Sequence, residues 1–414
     1  MTVLPPLRLP RALVDPRARD LPPADGDGLV TVVIEHQGGR IQGLRPPAAG
    51  VRDAPLALSP PVEPHAHLDK AYSARRFPNR DGTIAGALAA NHREADRRTE
   101  EQVRARAERA LARAWRQGLR AIRSHIDSLG PAAAPSWEVL QDLRQRWAQR
   151  LELQLVALVP VQHWATAEGE RLAGRVARSG GLLGGVLGNP FPAGREAEEG
   201  LRALLRLAEH HGCGIDLHVD ESDTHAGRGV RLVTRLLAGR SAPVPLTCSH
   251  AASMGLLRAD PLQRLAETMG AAGLGVVALP TTNLWLLDRS AARTPSRRPV
   301  APIRQLQEAG VAVAVGGDNV QDAWFPGGDF DPLALLRFSL AACHLAPWDR
   351  LGLAPFTTAA SALLGLGWDG VLRPGAPADL LVLEASGWED LLGGDVPRRV
   401  LRAGRWLEPA PPPG

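Results

Sequence analysis

The chain has 414 residues, of which 44% are hydrophobic, so its length and composition suit one large α/β domain with a smaller appendage. The formal net charge is +4, but the 44 acidic residues are interleaved with the 48 basic ones, and no basic block with aromatic residues stands out. Nucleic-acid binding is therefore not expected. The three cysteines lack metal-site spacing, and no 18-residue apolar run occurs, so we expect a soluble cytoplasmic protein with no membrane partner.

Both ends of the chain are rich in predicted strands. These strands span residues 28–35, 40–44, 378–383 and 400–407. We expect them to pair into one small β-sandwich domain that is formed by residues 1–58 together with residues 369–414. The proline-rich segment 410–414 is expected to be a flexible tail.

Residues 59–368, between these ends, alternate apolar strand-like runs with arginine- and alanine-rich helical segments. Eight such runs are typical of a (β/α)8 TIM barrel of about 250 residues. A doubly wound open sheet is the alternative, but no GxGxxG loop follows a predicted strand. The predicted strands span residues 61–66, 119–126, 152–160, 182–187, 213–219, 244–249, 275–279 and 311–316. The predicted helices include residues 100–117, 137–149, 197–211, 230–238, 261–273 and 302–310.

Histidines and carboxylates follow several predicted barrel strands at the point where each strand ends. His65 and His67 are one residue apart at the end of the first strand, so both side chains point to the same face. The other strand ends carry His125 and Asp127, His218 and Glu221, His250, and Asp318. Any one histidine alone is more often a hydrogen-bonded core residue. Because the carboxyl ends of barrel strands form the active site, the whole set predicts a metal centre.

The residue types in this set restrict the chemistry that it can perform. One divalent ion, zinc or iron, would be held by His65, His67, His218 and Asp318. Such an ion lowers the pKa of bound water from 15.7 towards about 7. His250 and Asp318 could hydrogen-bond that water and receive its proton, and Glu221 could shuttle a proton to a substrate nitrogen. A second ion bridged by a modified lysine is disfavoured, because residues 151–220 contain no lysine.

These motifs resemble the amidohydrolase superfamily, and most closely its cytosine-deaminase-like branch. The matching segments, in family order, are residues 63–70, 123–127, 217–221, 248–250, 280–283 and 317–324. The resemblance implies one zinc or iron ion per subunit. It also implies that Glu221 is the proton shuttle to a ring nitrogen and that His250 helps to activate water.

The predicted substrate pocket departs from the cytosine-specific pattern. Cytosine deaminases have a glutamine directly after the proline that ends the third strand, whereas here Val161 follows Pro160 and Gln162 comes one place later. That shift could turn Gln162 away from the substrate, although in a loop it could still reach it. Asn319 replaces a second aspartate of the bacterial cytosine enzyme and can both donate and accept. Trp324 either covers a flat ring or is a core residue.

The sequence therefore predicts a metal-dependent hydrolytic deaminase of an amino-substituted N-heterocycle, in which metal hydroxide attacks the ring carbon and ammonia is released. The alternative is hydrolysis of an N-alkylamino or cyclic amide C–N bond, as in relatives that act on aminotriazines. A catalytically silent binding protein fits less well, because every expected metal ligand is present. The expected partner is a small heterocyclic substrate, and a homo-oligomer is compatible with the resemblance.

Overall fold

The structure is a computed structural model that describes residues 1–51, 53–188 and 194–408. The predicted tail at 410–414 lies outside the described residues. The chain divides into two compact units. The first comprises residues 63–111 and 121–330, and the second comprises residues 1–62, 112–120 and 331–414. The expected domain division into residues 1–58, 59–368 and 369–414 stays a prediction.

The described strands are, in chain order, β1 (Thr2–Val3), β2 (Leu7–Pro10), β3 (Leu29–Gln37), β4 (Arg40–Arg45), β5 (Ala57–Leu58), β6 (Val62–Ala66), β7 (Ala121–Asp127), β8 (Glu152–Leu158), β9 (Leu182–Leu187), β10 (Ile215–Val219), β11 (Leu246–His250), β12 (Gly275–Ala278), β13 (Ala312–Val315), β14 (Leu380–Leu383), β15 (Arg398–Arg402) and β16 (Arg405–Trp406). The described α-helices are α1 (Ile84–Ala95), α2 (Glu100–Arg116), α3 (Ala133–Trp147), α4 (Ala167–Arg178), α5 (Arg195–His211), α6 (Arg228–Leu237), α7 (Ala259–Ala271), α8 (Pro280–Leu286), α9 (Ile303–Glu308), α10 (Pro332–Cys343), α11 (Arg350–Leu353), α12 (Thr358–Leu363) and α13 (Trp388–Gly393). Four short 3₁₀ helices span Arg11–Leu13, Val161–Ala165, Ala252–Leu256 and Ala354–Phe356. Among the described helices, none combines the length and the apolar character needed to cross a bilayer.

Strands β6 to β13 lie side by side in chain order and form one eight-stranded sheet. A parallel bridge between Ala66 and Asp318 joins the end of β6 to the segment that follows β13, so the sheet curves into a nearly closed barrel. Its strands are buried, as all five residues of β10 are, because the crossover helices cover parallel sheets. The predicted (β/α)8 barrel is confirmed, and the strand ends differ from the predicted ones by one or two residues.

Two helices that the sequence analysis did not predict, α1 and α4, contribute to the first unit. Each begins after a threonine whose side chain accepts a backbone N–H of the first turn, Thr83 from Gly86 and Thr166 from Gly169. Such caps satisfy N–H groups that have no partner within the helix. The last turn of α4 carries Arg175 and Arg178, where cations stabilise the helix dipole.

The chain ends form two antiparallel sheets in the second unit. One sheet contains β1, β3, β2 and β4, and the other contains β16, β15, β14 and β5. Both sheets contribute to one hydrophobic core, with Leu9 and Ile34 from the first sheet and Val382 and Leu401 from the second. The prediction that both ends pair into β-structure is confirmed. The single strand predicted at 400–407 is wrong, because the backbone turns through left-handed conformations after β15 and returns as β16.

Candidate active site

Three histidines and one aspartate converge at the carboxyl ends of the barrel strands. The Nε2 atom of His218 lies 3.2 Å from that of His65 and 3.4 Å from that of His67. The Asp318 Oδ1 atom is 3.3 Å from His67 Nε2 and 3.7 Å from His65 Nε2. All four side chains are buried, and the structure therefore brings together the four residues that the sequence predicts as metal ligands.

These donor atoms fit a divalent cation. Ligands at about 2.1 Å from a tetrahedral ion are separated by about 3.4 Å, which is the spacing observed here. Burial and the neighbouring histidines lower the pKa of His65 and His218 well below the ordinary range, so these rings are neutral, as metal ligands must be. Neither carboxylate oxygen of Asp318 has a hydrogen-bond partner in the described part of the chain, although both are buried. A cation among these atoms would compensate the buried carboxylate.

His125, a strand-end histidine without a predicted role, lies directly beside this cluster. Its ring stacks on that of His65 with centroids 3.9 Å apart and planes 26° apart. Neither ring nitrogen of His125 has a hydrogen-bond partner among the described residues. A second grouping, formed by His65, His125 and His218, could also hold an ion.

Glu221 follows the end of β10 and lies next to His250. The preceding residue, Asp220, accepts the backbone N–H groups of Gly229 and Val230 at the start of α6, which holds this segment in place. Glu221 Oε2 is 3.6 Å from His250 Nε2. Burial and the nearby Asp318 carboxylate raise the pKa of Glu221 well above its ordinary value. Glu221 can therefore hold a proton at a higher pH than an exposed glutamate can.

His250 is neutral and has a defined tautomer. Burial lowers the pKa of His250 to about 4. Asn283 Nδ2 lies 3.0 Å from His250 Nδ1, and because an amide nitrogen can only donate, Nδ1 accepts. The ring proton is consequently on Nε2, the nitrogen that faces Glu221. His250 and Asp318 both have positive φ angles, 69° and 64°, and left-handed conformations in non-glycine residues concentrate at functional sites.

A pocket of about 250 Å³ opens onto this cluster. Of the predicted substrate-binding residues, Asn319 and Trp324 line it. Asn319 Nδ2 donates to Asp322 Oδ2 at 2.8 Å, and the Trp324 backbone N–H donates to Asp322 Oδ1 at 2.9 Å. One N–H of the Asn319 amide is therefore engaged by Asp322, which holds the side chain at the pocket wall.

Gln162 is not among the described residues that line the pocket. It lies in the 3₁₀ helix Val161–Ala165, which packs closely against α5. A Cβ atom on Gly200 of α5 would lie 2.6 Å from the Gln162 Cα atom. The substrate-binding role of Gln162 stays a prediction, and the structure does not bring this residue together with the others.

The pocket wall also contains a charged group that the sequence analysis did not assign. Lys70 is the one lysine of the chain, is buried, and donates to Asp127 Oδ1 at 2.7 Å. Asp127 also accepts from Arg98 and Asn91, each at 3.3 Å. Burial opposes the charge of Lys70, but Asp127 and Asp69 outweigh it and raise the pKa of Lys70, which stays an ammonium ion. The motif at residues 63–70 could have pointed to Lys70, since it places the lysine three residues after the second of two predicted metal ligands.

Comparisons with known proteins agree with this geometry. The model of the amidohydrolase family matches residues 73–405, a range that begins after His65 and His67. Pterin deaminase of Rhizobium rhizogenes is 33% identical over 397 residues, which are 92% of this chain and 89% of the relative. The structure of 5-methylcytosine deaminase from Klebsiella pneumoniae has a TM-score of 0.82 and 26% identity, covering 99% of this chain and 97% of its own.

A further solved structure, N-isopropylammelide isopropylaminohydrolase from Burkholderia multivorans, has a TM-score of 0.72 and 25% identity over 97% of this chain and 98% of its own. The chain belongs to the amidohydrolase family, whose members are metal-dependent enzymes that hydrolyse C–N bonds.

Proposed function

We propose that this protein is a hydrolytic deaminase of an amino-substituted N-heterocycle, and that its substrate is a ring of the pterin type. The observation that carries the proposal is the position of Glu221. Its carboxyl group has a raised pKa and lies beside His250, next to the cluster of histidines and Asp318. This combination supplies an acid, a base and a metal site at one end of one pocket. The similarity to pterin deaminase over 92% of the chain supports the choice of ring.

The proposed cofactor is one divalent ion per subunit, zinc or iron, with His65, His67, His218 and Asp318 as its ligands. When bound, such an ion lowers the pKa of water and so makes a nucleophile available at neutral pH. The convergence of the three Nε2 atoms and Asp318 Oδ1 supports this ligand set.

Two carboxyl groups would transfer the protons, and His250 would orient the attacking water. Asp318, whose pKa is lowered by its histidine neighbours against the effect of burial, is ionised and accepts the proton of the attacking water. His250 donates from Nε2 and holds the attacking oxygen in place. Glu221 gives its proton to the ring nitrogen beside the carbon under attack, which places both an amine and a hydroxyl group on that carbon.

Collapse of this intermediate completes the exchange of protons. The amine receives the proton held by Asp318, the C–N bond breaks with its electron pair going to nitrogen, and ammonia leaves. The hydroxyl proton returns to Glu221 as the ring carbonyl forms. Both carboxyl groups then have the protonation state with which they began.

The opposite part of the pocket wall would select the ring. The Lys70 ammonium can donate to a ring oxygen, and the Asn319 amide oxygen can accept from a ring N–H. Trp324 provides an aromatic surface beside them. A ring that carries both an amine and a lactam, as pterin does, satisfies these groups, since a lactam presents an acceptor oxygen next to an N–H donor.

A second candidate function is removal of an N-alkyl amine from an aminotriazine. The likeness to N-isopropylammelide isopropylaminohydrolase over 97% of the chain favours it. The pocket also contains apolar side chains that could contact an alkyl group, namely Leu88, Leu129, Leu158, Val159 and Val186. The same acid and base would serve, with an alkylamine as the leaving group.

The test is release of ammonia or amine by the purified, metal-loaded protein. The panel would contain pterin, isocytosine, cytosine, 5-methylcytosine and N-isopropylammelide. Ammonia release with the highest kcat/KM on pterin is expected. A preference for a single-ring pyrimidine would contradict the choice of ring, and release of isopropylamine alone would replace deamination by the second candidate.

We also propose a cytoplasmic location, which the free, buried thiols of Cys213 and Cys248 support. A homo-oligomer is likewise a proposal, and light scattering after gel filtration would test it.

A further inference from the structure

Three buried side chains form a line that ends on one of the clustered histidines. Arg123 of β7 donates from Nη1 to Asp216 Oδ2 of β10 at 2.9 Å. Asp216 Oδ1 accepts the hydroxyl of Ser249 on β11 at 2.6 Å. Ser249 Oγ in turn lies 3.0 Å from His65 Nδ1. Ser249 and Asp216 are fully buried, so water does not compete for these bonds.

The direction of each hydrogen bond follows from counting protons. A serine hydroxyl has one proton, and a carboxylate that is paired with an arginine can only accept it. Ser249 Oγ must therefore accept the proton on His65 Nδ1. Because a neutral imidazole carries one proton, His65 Nε2 is left with a free electron pair, and this is the atom that lies 3.2 Å from His218 Nε2.

We propose that Ser249 and Asp216 are positioning residues that fix the tautomer and the direction of His65, so that Nε2 is presented to the metal. Hydrogen bonds of this kind to the outer nitrogen of a ligand histidine orient the ring and raise its basicity. Here a serine is inserted between the histidine and the carboxylate, and Arg123 holds that carboxylate from the other side.

His65 differs from the other two predicted histidine ligands in having a partner for its Nδ1 atom. The Nδ1 atoms of His67 and His218 have no hydrogen-bond partner in the described part of the chain. His65 is thus oriented from two directions, by Ser249 in the plane of its ring and by the stacked His125 across it. Ser249 and Asp216 are not among the described pocket-lining residues, so their loss should act on metal binding rather than on contacts with the substrate.

The inference rests on the metal site of the proposed function and is tested without any substrate. The zinc dissociation constants of the wild type and of Ser249→Ala are measured at neutral pH by competition with a chromophoric chelator. We expect Ser249→Ala to bind zinc about 10–100-fold more weakly, the usual scale for loss of such a hydrogen bond. Ser249→Thr, which keeps the hydroxyl, should restore most of the affinity.

The matched control is Ser253→Ala, which removes a buried hydroxyl that accepts the backbone N–H of Gly227 at 3.1 Å and hydrogen-bonds the Asp220 carboxyl group, neither of which is a predicted metal ligand. Its zinc affinity should equal that of the wild type. In the cobalt-loaded proteins, Ser249→Ala should change the visible absorption bands, whereas Ser253→Ala should not. Wild-type affinity and spectrum in Ser249→Ala, or an equal loss in Ser253→Ala, would overturn the positioning role alone. A wild-type protein that binds neither zinc nor cobalt would overturn the metal site itself.

Discussion

At the scale of single residues, the neighbours of two buried carboxyl groups give them opposite protonation states. Glu221 and Asp318 lie in the same buried region, but the pKa of Glu221 is raised by burial and by Asp318, whereas the pKa of Asp318 is lowered by His67 and His250 against the effect of burial. One carboxyl group can therefore act as an acid while the other acts as a base. Environments that separate two carboxyl groups in this way are a recurring feature of acid–base catalysis.

Replacing Glu221 by glutamine should keep the metal but remove the proton donor. We expect Glu221→Gln to lower kcat by about 10²–10⁴-fold with unchanged metal content. In the wild type, activity that needs protonated Glu221 is present below the raised pKa and is lost as the pH rises through it. That basic decline should be missing from the pH profile of the variant. A wild-type rate in Glu221→Gln would exclude the shuttle role.

The sequence revealed which residues meet, but it did not reveal the partners that orient them. His65, His67, His218, His250 and Asp318 were predictable because strand ends of a barrel converge, whatever the details of packing. The tautomer of His250 depends on Asn283, and that of His65 depends on Ser249, through contacts that cross strands. The ion pair between Lys70 and Asp127 also joins residues that are distant in the chain.

At the scale of elements, the barrel strands could be predicted from apolar runs in the sequence, whereas the close contacts between elements could not. The contact of α5 with the 3₁₀ helix Val161–Ala165 depends on Gly200, where an added Cβ would lie 2.3 Å from the Val161 carbonyl oxygen. Gln162 is part of that short helix, so its placement was decided by a helix contact rather than by strand alternation. A prediction based on the alternation of side chains along a strand could not locate Gln162.

Gly200→Ala should therefore destabilise the protein, because the backbone of the 3₁₀ helix must move. We expect a loss of about 1–3 kcal/mol, the usual cost of overpacking. Gly174→Ala is the matched control, since its Cβ would meet at 3.4 Å the flexible side chain of Arg178 within α4. There alanine should stabilise the helix by about 0.5–1 kcal/mol. Urea unfolding would compare both variants, and equal stability of the two would show that the contact with α5 is not tight.

At the scale of the whole molecule, the chain makes a barrel in its middle and a two-sheet unit from its ends. The residues of the candidate site all come from the first unit, 63–111 and 121–330. The second unit has its own hydrophobic core and its own partly buried ion pair, between Asp331 before α10 and Arg398 of β15. Strand patterns predicted the β-structure at both ends, but an ion pair between residues so far apart in the chain could not be deduced from them.

Asp331→Ala should lower the free energy of unfolding by about 1–3 kcal/mol, because the partly buried Arg398 would lose its partner and the start of α10 would lose the side chain that accepts the backbone N–H of Leu333. Burial alone would raise the pKa of Asp331, but Arg398 lowers it. The stabilisation by this ion pair is therefore present at neutral pH and is lost as the pH falls through the lowered pKa. The control is Asp395→Ala. The Asp395 side chain is 98% exposed, so its ion pair with Arg337 should contribute less than about 1 kcal/mol to the free energy of unfolding. Equal effects of the two substitutions on chemical unfolding would contradict the role assigned to the pair of Asp331 and Arg398.

The central claim is that water replaces an amino group on a heterocyclic ring at this site. It is tested most directly by mass spectrometry of the product that metal-loaded protein forms from pterin in water enriched in oxygen-18. We predict that the product carries one heavy oxygen at the carbon that lost the amine and that one ammonia is released per turnover. A product that keeps its amino group, a ring opened without release of ammonia, or no reaction at full metal occupancy would contradict the claim.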